Sequence, residues 1–570
     1  MLTTANQYVR LIIDCIASHG VGTAYCSPGS RNAPLLIALE SHREILKHVV
    51  VDERSAAFQA LGCALVERTP VLLVCTSGTA VLNYAPAVAE AYYAGVPLII
   101  VSADRPSEWI DQDDSQTIRQ FGVLSHIVKA SYDVRAIPED PSGKYTAGGA
   151  WRINRTVNEA MLKALEGKPG PVHINVQLGE PLGMMEEIAP ESPRIVEQIE
   201  RAEALSKMAM QEIIRSLDGK KIMLVAGFMR PDNKLDRAVR RLAALPNVVV
   251  MAETLSNLHT PARHASMIDA VLCRLTEEEK EELRPEVIIS IGGALVSRML
   301  KQYLRLNRPD YHITVGHSNY FCDCFQSLTT KVEIAPAGFI AALAAGLSKS
   351  VNHGGNSDFA EKWLLARKRA AAEAEAYVAS APWSDLTALH YLLTHLKLDN
   401  LFLSNGTVVR YSQLIAHSCH AEYCNRGVSG IDGTTATAVG GAVAYSGDTT
   451  LISGDMSWLY DSGVSTLGNM PGRMKCVVID NSGGGIFRFI KSTSSISPEI
   501  LDTYFCAPSD YSVSDIAEAY GYDTFEANDL SSLEEGVKWL DAPSDLPGIL
   551  VVHTPPEVSA EVLKGYFAGR

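Results

Sequence analysis

The chain has 570 residues, of which 47% are hydrophobic and 20% are charged. This composition is that of a folded globular protein, and the length predicts two to four domains, because a single hydrophobic core stops growing well before this size. The formal net charge of -15 argues against a nucleic-acid-binding surface, which needs a basic face. Small anionic substrates stay possible, since a few arginines can override the mean charge locally.

The cysteines and the N-terminal segment predict a cytoplasmic protein. The 11 cysteines are scattered and include no pair of Cys-x-x-Cys motifs, which fits a reducing compartment. Residues 1–20 resemble an acidic amphipathic helix and lack the basic region and the cleavage signal of a secretory peptide. The longest apolar runs, such as residues 96–103, are too short for a membrane span.

Residues 1–182 alternate short apolar strands with helices, and we expect them to form an N-terminal domain. Apolar strands of this kind are buried on both faces, which predicts a mainly parallel sheet. Nearly every predicted strand ends in small, polar or charged residues, and such ends form the edge where open α/β sheets bind ligands. The segments that carry these strands are residues 23–30, 48–53, 71–78, 97–106 and 170–177.

Two further α/β domains are predicted, one over residues 200–346 and one over residues 384–570, with a charged helix over residues 359–380 before the last. The expected fold class is therefore α/β, with three doubly wound domains and mainly parallel sheets. The middle domain has a glycine-rich turn at residues 291–297 but no G-x-G-x-x-G fingerprint, so we expect no FAD there.

The last domain carries the clearest signal for a metal ion. One predicted strand ends at Asp455, and the next ends at Asn481, 26 residues later. That spacing is one strand-helix-strand crossover, so both side chains emerge at the same sheet edge. Mg²⁺ prefers oxygen ligands, which Asp455, Asn481 and the backbone carbonyl of Gly483 supply, and Mn²⁺ is not distinguished from it. A strand-capping aspartate beside a turn asparagine is the alternative, and the placement of both at strand ends disfavours it.

The same strand end offers a place for a diphosphate. Gly454 has no side chain and allows an anion to approach the backbone, and the N–H groups of Met456 and Ser457 open the following helix. Free N–H groups at the start of a helix favour a phosphate. We therefore expect a cation and a diphosphate to bind together here.

Gly-Asp followed some 25 residues later by Asn resembles the motif of the thiamine-diphosphate-dependent enzymes. In that family a glutamate of the first domain hydrogen-bonds N1′ of the cofactor's aminopyrimidine and favours the tautomer that removes the thiazolium C2 proton. Glu53 is the matching residue, and a carboxyl buried there can share a proton with a ring nitrogen. A surface ion pair of Glu53 with Arg54 is the alternative, disfavoured by the position between a valine-rich strand and an alanine-rich helix. Residues that match the family's cofactor pocket are Thr76, Ser77, Gly78 and Asn83.

Four arginines lie at or near strand ends of the two predicted cofactor-binding domains: Arg31, Arg105, Arg410 and Arg426. Ordinary ion pairs would explain two of them. Four are more simply explained as clamps for substrate carboxylates, which a guanidinium binds through two parallel hydrogen bonds.

The segments PGSRNAPL, DERSAAFQALG, SADRP and NRGVSGIDG resemble, within the thiamine-diphosphate enzymes, the carboligases of menaquinone biosynthesis. The resemblance implies decarboxylation of 2-oxoglutarate and addition of the succinyl carbanion to isochorismate, a transferase reaction. It places isochorismate against Ser30, Arg31, Arg105, Gln116 and Arg298. It assigns the succinyl carboxylate to Arg410 and Arg426, with Asn405 beside them. It makes Ile431 the apolar residue that bends the cofactor, and Ile486 and Phe487 walls of its pocket.

Two other functions remain open from the sequence. One is another thiamine-diphosphate 2-oxoacid decarboxylase or an acetohydroxyacid-synthase-like carboligase, which act on monocarboxylates and need no such set of arginines. The other is a catalytically silent subunit that only binds a nucleotide, which Glu53, Asp455 and Asn481 argue against. The resemblance also implies a homodimer or homotetramer with active sites between chains, without nucleic acid or membrane span.

Overall fold

The structure of the protein is a computed structural model. None of the helices in the part of the chain that it describes combines the length and the apolar character that crossing a membrane requires. The described residues are 2–135, 146–188, 192–199, 204–259, 267–349, 356–467, 470–472, 474–493, 495–508, 510–544 and 547–568.

The first part of the chain builds a six-stranded parallel sheet. Its elements are β1 (Leu2–Thr4), α1 (Gln7–Ser18), β2 (Thr23–Cys26), α2 (Ala33–Glu40), β3 (Leu46–Val49), α3 (Glu53–Glu67), β4 (Val71–Cys75), α4 (Ala80–Asn83), α5 (Ala85–Ala94), β5 (Leu98–Asp104), β6 (Ser131–Val134), α6 (Ala147–Leu165), β7 (Val172–Gln177) and β8 (Met185–Glu187). The order in the sheet is β3-β2-β4-β5-β7-β6, and β1 pairs with β8 in a separate antiparallel ribbon.

The strands of this sheet differ in burial according to their place in it. All residues of the central strands β4 and β5 are buried, as the continuous apolar runs predict. Strand β3 lies at the edge of the sheet, with β2 as its one hydrogen-bonded neighbour among the described strands, and its Leu46 and Val49 are exposed. Of the valine run at residues 49–51, only Val49 belongs to this strand. A core of residues from α1, α2, α6 and the sheet covers one face.

The middle part of the chain forms a second parallel sheet. Its elements are α7 (Lys207–Leu217), β9 (Ile222–Ala226), α8 (Asn233–Ala243), β10 (Val248–Ala252), α9 (Ile268–Leu272), α10 (Glu277–Glu282), β11 (Val287–Ile291), α11 (Arg298–Leu306), β12 (Tyr311–Val315), β13 (Thr330–Val332), α12 (Pro336–Leu347) and α13 (Phe359–Ser380). The strand order is β10-β9-β11-β12-β13. Buried side chains alternate along β9 and β11 between two cores, one on each face of the sheet.

The last part of the chain forms the third parallel sheet, in the order β15-β14-β16-β17-β19-β18. Short 3₁₀ helices cover Ser462–Leu467, Gly485–Arg488 and Lys491–Thr493. Its regular elements are α14 (Asp385–His395), β14 (Asn400–Leu403), α15 (Val408–Ser412), β15 (Ala421–Tyr423), α16 (Thr434–Ala444), β16 (Thr449–Gly454), α17 (Asp455–Tyr460), β17 (Met474–Asp480), α18 (Pro498–Leu501), α19 (Val513–Ala519), β18 (Asp523–Ala527), α20 (Leu530–Leu540), β19 (Gly548–His553) and α21 (Pro556–Ala568).

These parallel sheets with interleaved helices confirm the predicted α/β fold. The chain divides into two compact units: unit 1 holds Met1–Glu200, Gly427–Ser446 and Asp461–Met470, and unit 2 holds the rest. Helix α16 belongs to unit 1 because it packs closely on α3. A Cβ on Gly62 would lie 1.8 Å from the backbone oxygen of Thr437, and one on Gly440 would lie 1.9 Å from that of Gln59. The predicted domain boundaries at 1–182, 200–346 and 384–570 stay predictions.

Candidate active site

Glu53 is the first residue of α3 and is half-buried. Asp52 caps this helix, accepting the backbone N–H of Arg54 at 3.0 Å and the hydroxyl of Ser55 at 2.7 Å. The Glu53 charge, after burial, is among the causes that raise the pKa of the Cys75 thiol, so the carboxyl lies near the carboxyl end of β4. Arg54 pairs with the buried Asp461 of unit 1 at 3.5 Å.

The loop after β4 holds the three small residues Thr76, Ser77 and Gly78. Thr76 and Ser77 are buried, and no hydrogen-bond partner for their hydroxyls occurs among the described residues. Buried polar atoms are rarely left unsatisfied in native proteins, so these hydroxyls suit a polar ligand such as a cofactor ring. Gly78 has φ +83, which a side chain rarely adopts. Asn83 ends α4 and is exposed.

Gln120 is a buried residue that the sequence did not single out. Its Oε1 accepts the N–H of Gly78 at 2.9 Å, and its Nε2 donates to the carbonyl of Ala103 and to the side chain of Asn175, each at 2.8 Å. Gln120 therefore ties the cofactor loop to the ends of β5 and β7. Nothing in the motif pattern separates it from its neighbours, since its partners lie up to 55 residues away.

The structure brings Arg31 and Arg105 together in unit 1. Arg31 is buried, and its Nη1 donates to the backbone oxygen of Leu178 at 3.0 Å. Burial and, next, the charge of Arg105 lower the pKa of Arg31. Arg105 pairs with Asp114 at 2.6 Å. Arg31 likewise lies 3.3 Å from the carboxylate of Glu180, so an anionic substrate would have to share these two guanidinium groups with Glu180 and Asp114.

The two other residues expected near isochorismate in this unit are less enclosed. Ser30 follows the Pro-Gly turn after β2 and is exposed. Gln116 is also exposed and has φ +54. Neither side chain has a hydrogen bond in the described structure that fixes its direction.

Asp455 lies in unit 2 at the junction of β16 and α17 and is buried. Its Oδ1 accepts the N–H of Met456 at 2.7 Å, so this N–H, expected to face a diphosphate, already has a partner. A Cβ on Gly454 would meet no atom within 4 Å, which leaves open space at the strand end. Ser457 is buried one turn into the short helix.

Asn481 and Gly483 follow β17 on the neighbouring strand. The amide nitrogen of Asn481 donates to the buried Asp385 at 2.8 Å, and Asp385 also accepts the hydroxyls of Thr554 at 2.6 Å and Ser559 at 3.2 Å. Asp385, which sequence reasoning missed, thus fixes the Asn481 amide. A Cβ on Gly483 would lie 2.1 Å from a backbone oxygen, so only glycine fits there.

The charges around Asp455 favour a cation. Burial and the nearby carboxylate of Asp480 raise the pKa of Asp455 to about 7, although the N–H of Gly483 lowers it. His553 lies 3.2 Å from Asp480. Two neighbouring carboxylates in a buried place repel each other unless a positive ion stands between or beside them. The oxygen donors of Asp455, Asn481 and Gly483 match what Mg²⁺ prefers, so these residues fit the predicted ion.

Three predicted substrate arginines come together elsewhere in unit 2. Burial first, and then the charges of Arg298 and Arg426, lower the pKa of Arg410 to about 10. Arg426 is buried, and its Nη1 donates to Oδ1 of Asn405 at 2.8 Å. The Nε groups of Arg410 and Arg426 have no hydrogen-bond acceptor in the described part of the chain.

A cavity of about 230 Å³ adjoins this cluster. It is lined by Arg298 and Arg410 with Thr407, by the acidic Asp269, and by apolar side chains that include Phe489. Such a mixture of cations and apolar walls suits a small carboxylate with a hydrocarbon chain. Thr407 lines the cavity, while Asn405, two residues earlier, accepts a hydrogen bond from Arg426.

Two buried acids that the sequence analysis passed over hold this cavity in shape. Glu253, just after β10, accepts the N–H groups of Val296 and Ser297 at 2.8 and 2.7 Å. Asp269 accepts the hydroxyl of Ser297. These three bonds fix the start of α11, whose first residue is Arg298.

The remaining predicted residues lie in loops of both units. Ile431 precedes α16 in unit 1 and is half-buried, and Ile486 and Phe487 lie in the 3₁₀ helix Gly485–Arg488 of unit 2, also half-buried. The structure therefore assembles two partial sites, each within its own unit. Unit 1 carries Glu53, the Thr76–Gly78 loop and the Arg31–Arg105 pair, and unit 2 carries the Asp455 centre and the Arg298–Arg410–Arg426 cluster.

Comparison with known proteins identifies the family of the chain. Residues 6–123 match the family described as thiamine pyrophosphate enzyme, N-terminal TPP binding domain. The chain is 40% identical over 567 residues to the 2-succinyl-5-enolpyruvyl-6-hydroxy-3-cyclohexene-1-carboxylate synthase of Porphyromonas gingivalis, with 98% of this chain and 96% of that protein covered. It is 35% identical over 561 residues to the synthase of the same name from Flavobacterium johnsoniae (98% and 97% covered) and 36% identical over 525 residues to that of Desulfotalea psychrophila (91% and 93% covered).

Proposed function

The chain belongs to the 2-succinyl-5-enolpyruvyl-6-hydroxy-3-cyclohexene-1-carboxylate synthase family, and on that premise we propose a substrate and a task for each part of its site. It is a thiamine-diphosphate-dependent transferase that forms a carbon–carbon bond. The proposed reaction decarboxylates 2-oxoglutarate and adds the resulting four-carbon unit to isochorismate, in menaquinone biosynthesis. The observation that carries this proposal is the cluster of Arg298, Arg410 and Arg426, two of which, Arg298 and Arg410, line a cavity.

The residues at the ends of β16 and β17 would hold the cofactor's diphosphate end. Asp455, Asn481 and Gly483 would bind Mg²⁺ or Mn²⁺ through oxygen atoms, and the open space at Gly454 gives the diphosphate room. Asp385 keeps the Asn481 amide in one orientation. Thiamine diphosphate, when bound, supplies an electron sink for the carbanion that loss of carbon dioxide leaves.

Glu53 would hold a proton at the aminopyrimidine N1′, and the hydroxyls of Thr76 and Ser77 would bind the same ring. The position of Glu53 near Cys75 at the end of β4 supports this assignment, since Thr76 and Ser77 directly follow Cys75 in the chain. Ile431, Ile486 and Phe487 would exclude water from the ring and hold its shape.

The arginines would bind the carboxylates of the two substrates. Arg410 and Arg426 would bind the distal carboxylate of 2-oxoglutarate, which pyruvate lacks. Arg31 and Arg105 would bind isochorismate, with Ser30, Gln116 and Arg298 beside it. Charge-assisted pairs with arginine fix both position and orientation, so the carbanion and the acceptor carbon would be brought together in one geometry.

We also propose that the working form is a cytoplasmic homodimer or homotetramer. The family resemblance supports it: one cofactor would contact Glu53 of one chain and Asp455 of the partner subunit, so that a two-fold axis generates two equal sites.

Product identification by mass spectrometry tests the function. The protein is supplied with thiamine diphosphate, Mg²⁺, 2-oxoglutarate and isochorismate, and we expect a product that carries the mass of both substrates less carbon dioxide. Omitting isochorismate should abolish it. If pyruvate is consumed as readily as 2-oxoglutarate and no such product forms, the chain is a monocarboxylate decarboxylase or carboligase instead.

A further inference from the structure

The loop after α15 and the strand β15 that follows it bring together three side chains that the proposed reaction does not use. These are His417, Cys419 and Glu422, whose ligand atoms all lie within 4.8 Å of one another. The side chains of His417 and Glu422 are each only 1% exposed, and Cys419 is half-buried. One imidazole, one thiol and one carboxylate are the donors that zinc binds in proteins.

The hydrogen bonds of His417 fix which of its nitrogens is available. Nδ1 lies 3.0 Å from the backbone oxygen of Ile415, which can only accept, so Nδ1 carries the proton. Nε2 then presents a lone pair to Oε2 of Glu422, 2.9 Å away. Two acceptors at that distance need a positive species between them, either a second proton on the ring or a metal ion.

A nucleophilic triad is the first alternative use of these groups. It would need a ring nitrogen of His417 aimed at the sulfur of Cys419. Both ring nitrogens already have oxygen partners, Ile415 and Glu422. The histidine is therefore placed to hold an ion and not to take a proton from the thiol.

Neighbouring side chains orient the members of this cluster by hydrogen bonds, as the surroundings of a metal site do. Oε1 of Glu422 accepts the hydroxyls of Thr254 at 2.6 Å and of Ser412 at 3.3 Å, which orients the carboxylate and leaves Oε2 for the cluster. The N–H of Glu422 donates to Asn257 at 2.8 Å. Metal-binding histidines commonly donate their other N–H to a carbonyl, as His417 does, and metal-binding carboxylates are themselves hydrogen-bonded.

We propose that His417, Cys419 and Glu422 bind a zinc-type divalent metal ion through Nε2, Sγ and Oε2. Tetrahedral zinc with bonds of about 2.0–2.3 Å separates its ligand atoms by roughly 3.2–3.8 Å. Nε2 of His417 and Oε2 of Glu422, now 2.9 Å apart, would open slightly to admit the ion, and the largest separation within the cluster, up to 4.8 Å, would close to it. The Cys419 thiol binds as thiolate and releases its proton to solvent, and water takes the fourth position on its half-exposed side. The bound ion would hold in place the segment between Arg410 and Arg426.

Cobalt gives a direct test, because a thiolate bound to Co²⁺ produces a near-ultraviolet charge-transfer band and oxygen ligands do not. The full-length protein is stripped with a chelator, resupplied with Mg²⁺ and thiamine diphosphate, and titrated with Co²⁺. We expect a band that saturates near one Co²⁺ per chain, as one site of this donor set requires, and that Zn²⁺ displaces. Zinc should also raise the melting temperature, since it binds only the folded site.

Variants assign the band to its ligands. Cys419→Ser should abolish it, and His417→Gln should weaken cobalt binding by at least about tenfold. Cys322→Ser is the matched control, because Cys322 is exposed and stands near a second cysteine, Cys324, in the sequence; it should leave the band unchanged. Asp455→Ala should also keep the band, which separates this site from the proposed Mg²⁺ centre.

The titration of the folded wild-type protein decides the proposal even if a variant fails to fold. No charge-transfer band at saturating Co²⁺ would mean that a proton, not a metal ion, joins His417 to Glu422. A band that survives in folded Cys419→Ser but is lost in Cys322→Ser would place the metal at Cys322 and overturn the assignment.

Discussion

The carboxylate of Asp455 accepts the backbone N–H of Gly483 at 2.6 Å. This bond joins the end of β16 to the turn after β17, so two of the three proposed metal ligands hold each other in place before any ion binds. A preformed site loses little conformational entropy on binding. The Asp455–Gly483 part of the proposed metal site is therefore held in place before the ion binds.

Asp455→Ala should sharply weaken thiamine diphosphate binding, because it removes the only charged ligand proposed for the metal. High Mg²⁺ should partly restore affinity by mass action. Calorimetry of cofactor binding measures both effects. Asp448→Ala is the control, since Asp448 flanks the start of the same strand and pairs with Lys475 at 3.2 Å. Unchanged affinity in the Asp455 variant would place the metal elsewhere.

Glu53→Gln should abolish activation of the cofactor while leaving it bound, because glutamine keeps the shape but has no acidic proton to share with N1′. Exchange of the cofactor's C2 proton for deuterium, followed by nuclear magnetic resonance in the holoenzyme, is the measurement. Glu67→Gln, at the far end of the same helix, should exchange as the wild type does. Wild-type exchange in the Glu53 variant would remove this residue from the mechanism.

Arg410→Gln should raise KM for 2-oxoglutarate far more than KM for pyruvate. Loss of a hydrogen-bonded charge pair costs about 1.5–3 kcal/mol, which corresponds to a factor of roughly 10 to 150. Steady-state kinetics with both donors gives the ratio. Arg369→Gln, an exposed residue of α13 that pairs with Glu279 at 2.8 Å, should change neither. Equal losses for both donors would show that Arg410 does not bind the distal carboxylate.

Glu253→Gln should shift the position of Arg298 indirectly, because Glu253 bonds the backbone just before Arg298 and not Arg298 itself. The carboxylate accepts two N–H groups at the start of α11, and an amide has only one acceptor oxygen, so one N–H loses its partner. We expect KM for isochorismate to rise several-fold with a smaller change in kcat. Glu286→Gln removes a similar bond, to the N–H of Lys221 at 2.8 Å, at the other end of β11. If both variants show the same kinetics, Glu253 contributes to stability alone.

Mixed dimers test the shared site. Chains carrying Glu53→Ala and chains carrying Asp455→Ala are co-expressed with different affinity tags, and the doubly tagged species is purified. If one site collects both lesions, the other is intact, and activity should return to about half of the wild-type value under two-fold symmetry. Each parent variant alone should be inactive. A verified mixed dimer without activity would mean that each site is built within one chain.

The sequence by itself determined the fold class and the strand ends that carry chemistry. Apolar runs bounded by small and polar residues predict parallel strands, and a spacing of 26 residues puts Asp455 and Asn481 on neighbouring strands, because one crossover has a nearly fixed length. Arg410 and Arg426 are predicted in the same way, from their places near strand ends, whereas Arg298 is predicted only by the family resemblance. Strand patterns and the spacing between strand ends are local properties, because a short stretch of the chain is enough to predict them.

Only the tertiary structure decided which side chains support the site. Gln120 reaches Gly78 across 42 residues, and Asp385 reaches Asn481 across 96. The burial of a strand also depends on the sheet order: β3, predicted from the same alternation of strands and helices as the central strands, lies at the edge of the sheet. Such contacts depend on which strands become neighbours and on which rotamers the packing allows. Both are set by the whole core at once, and no window of sequence contains them.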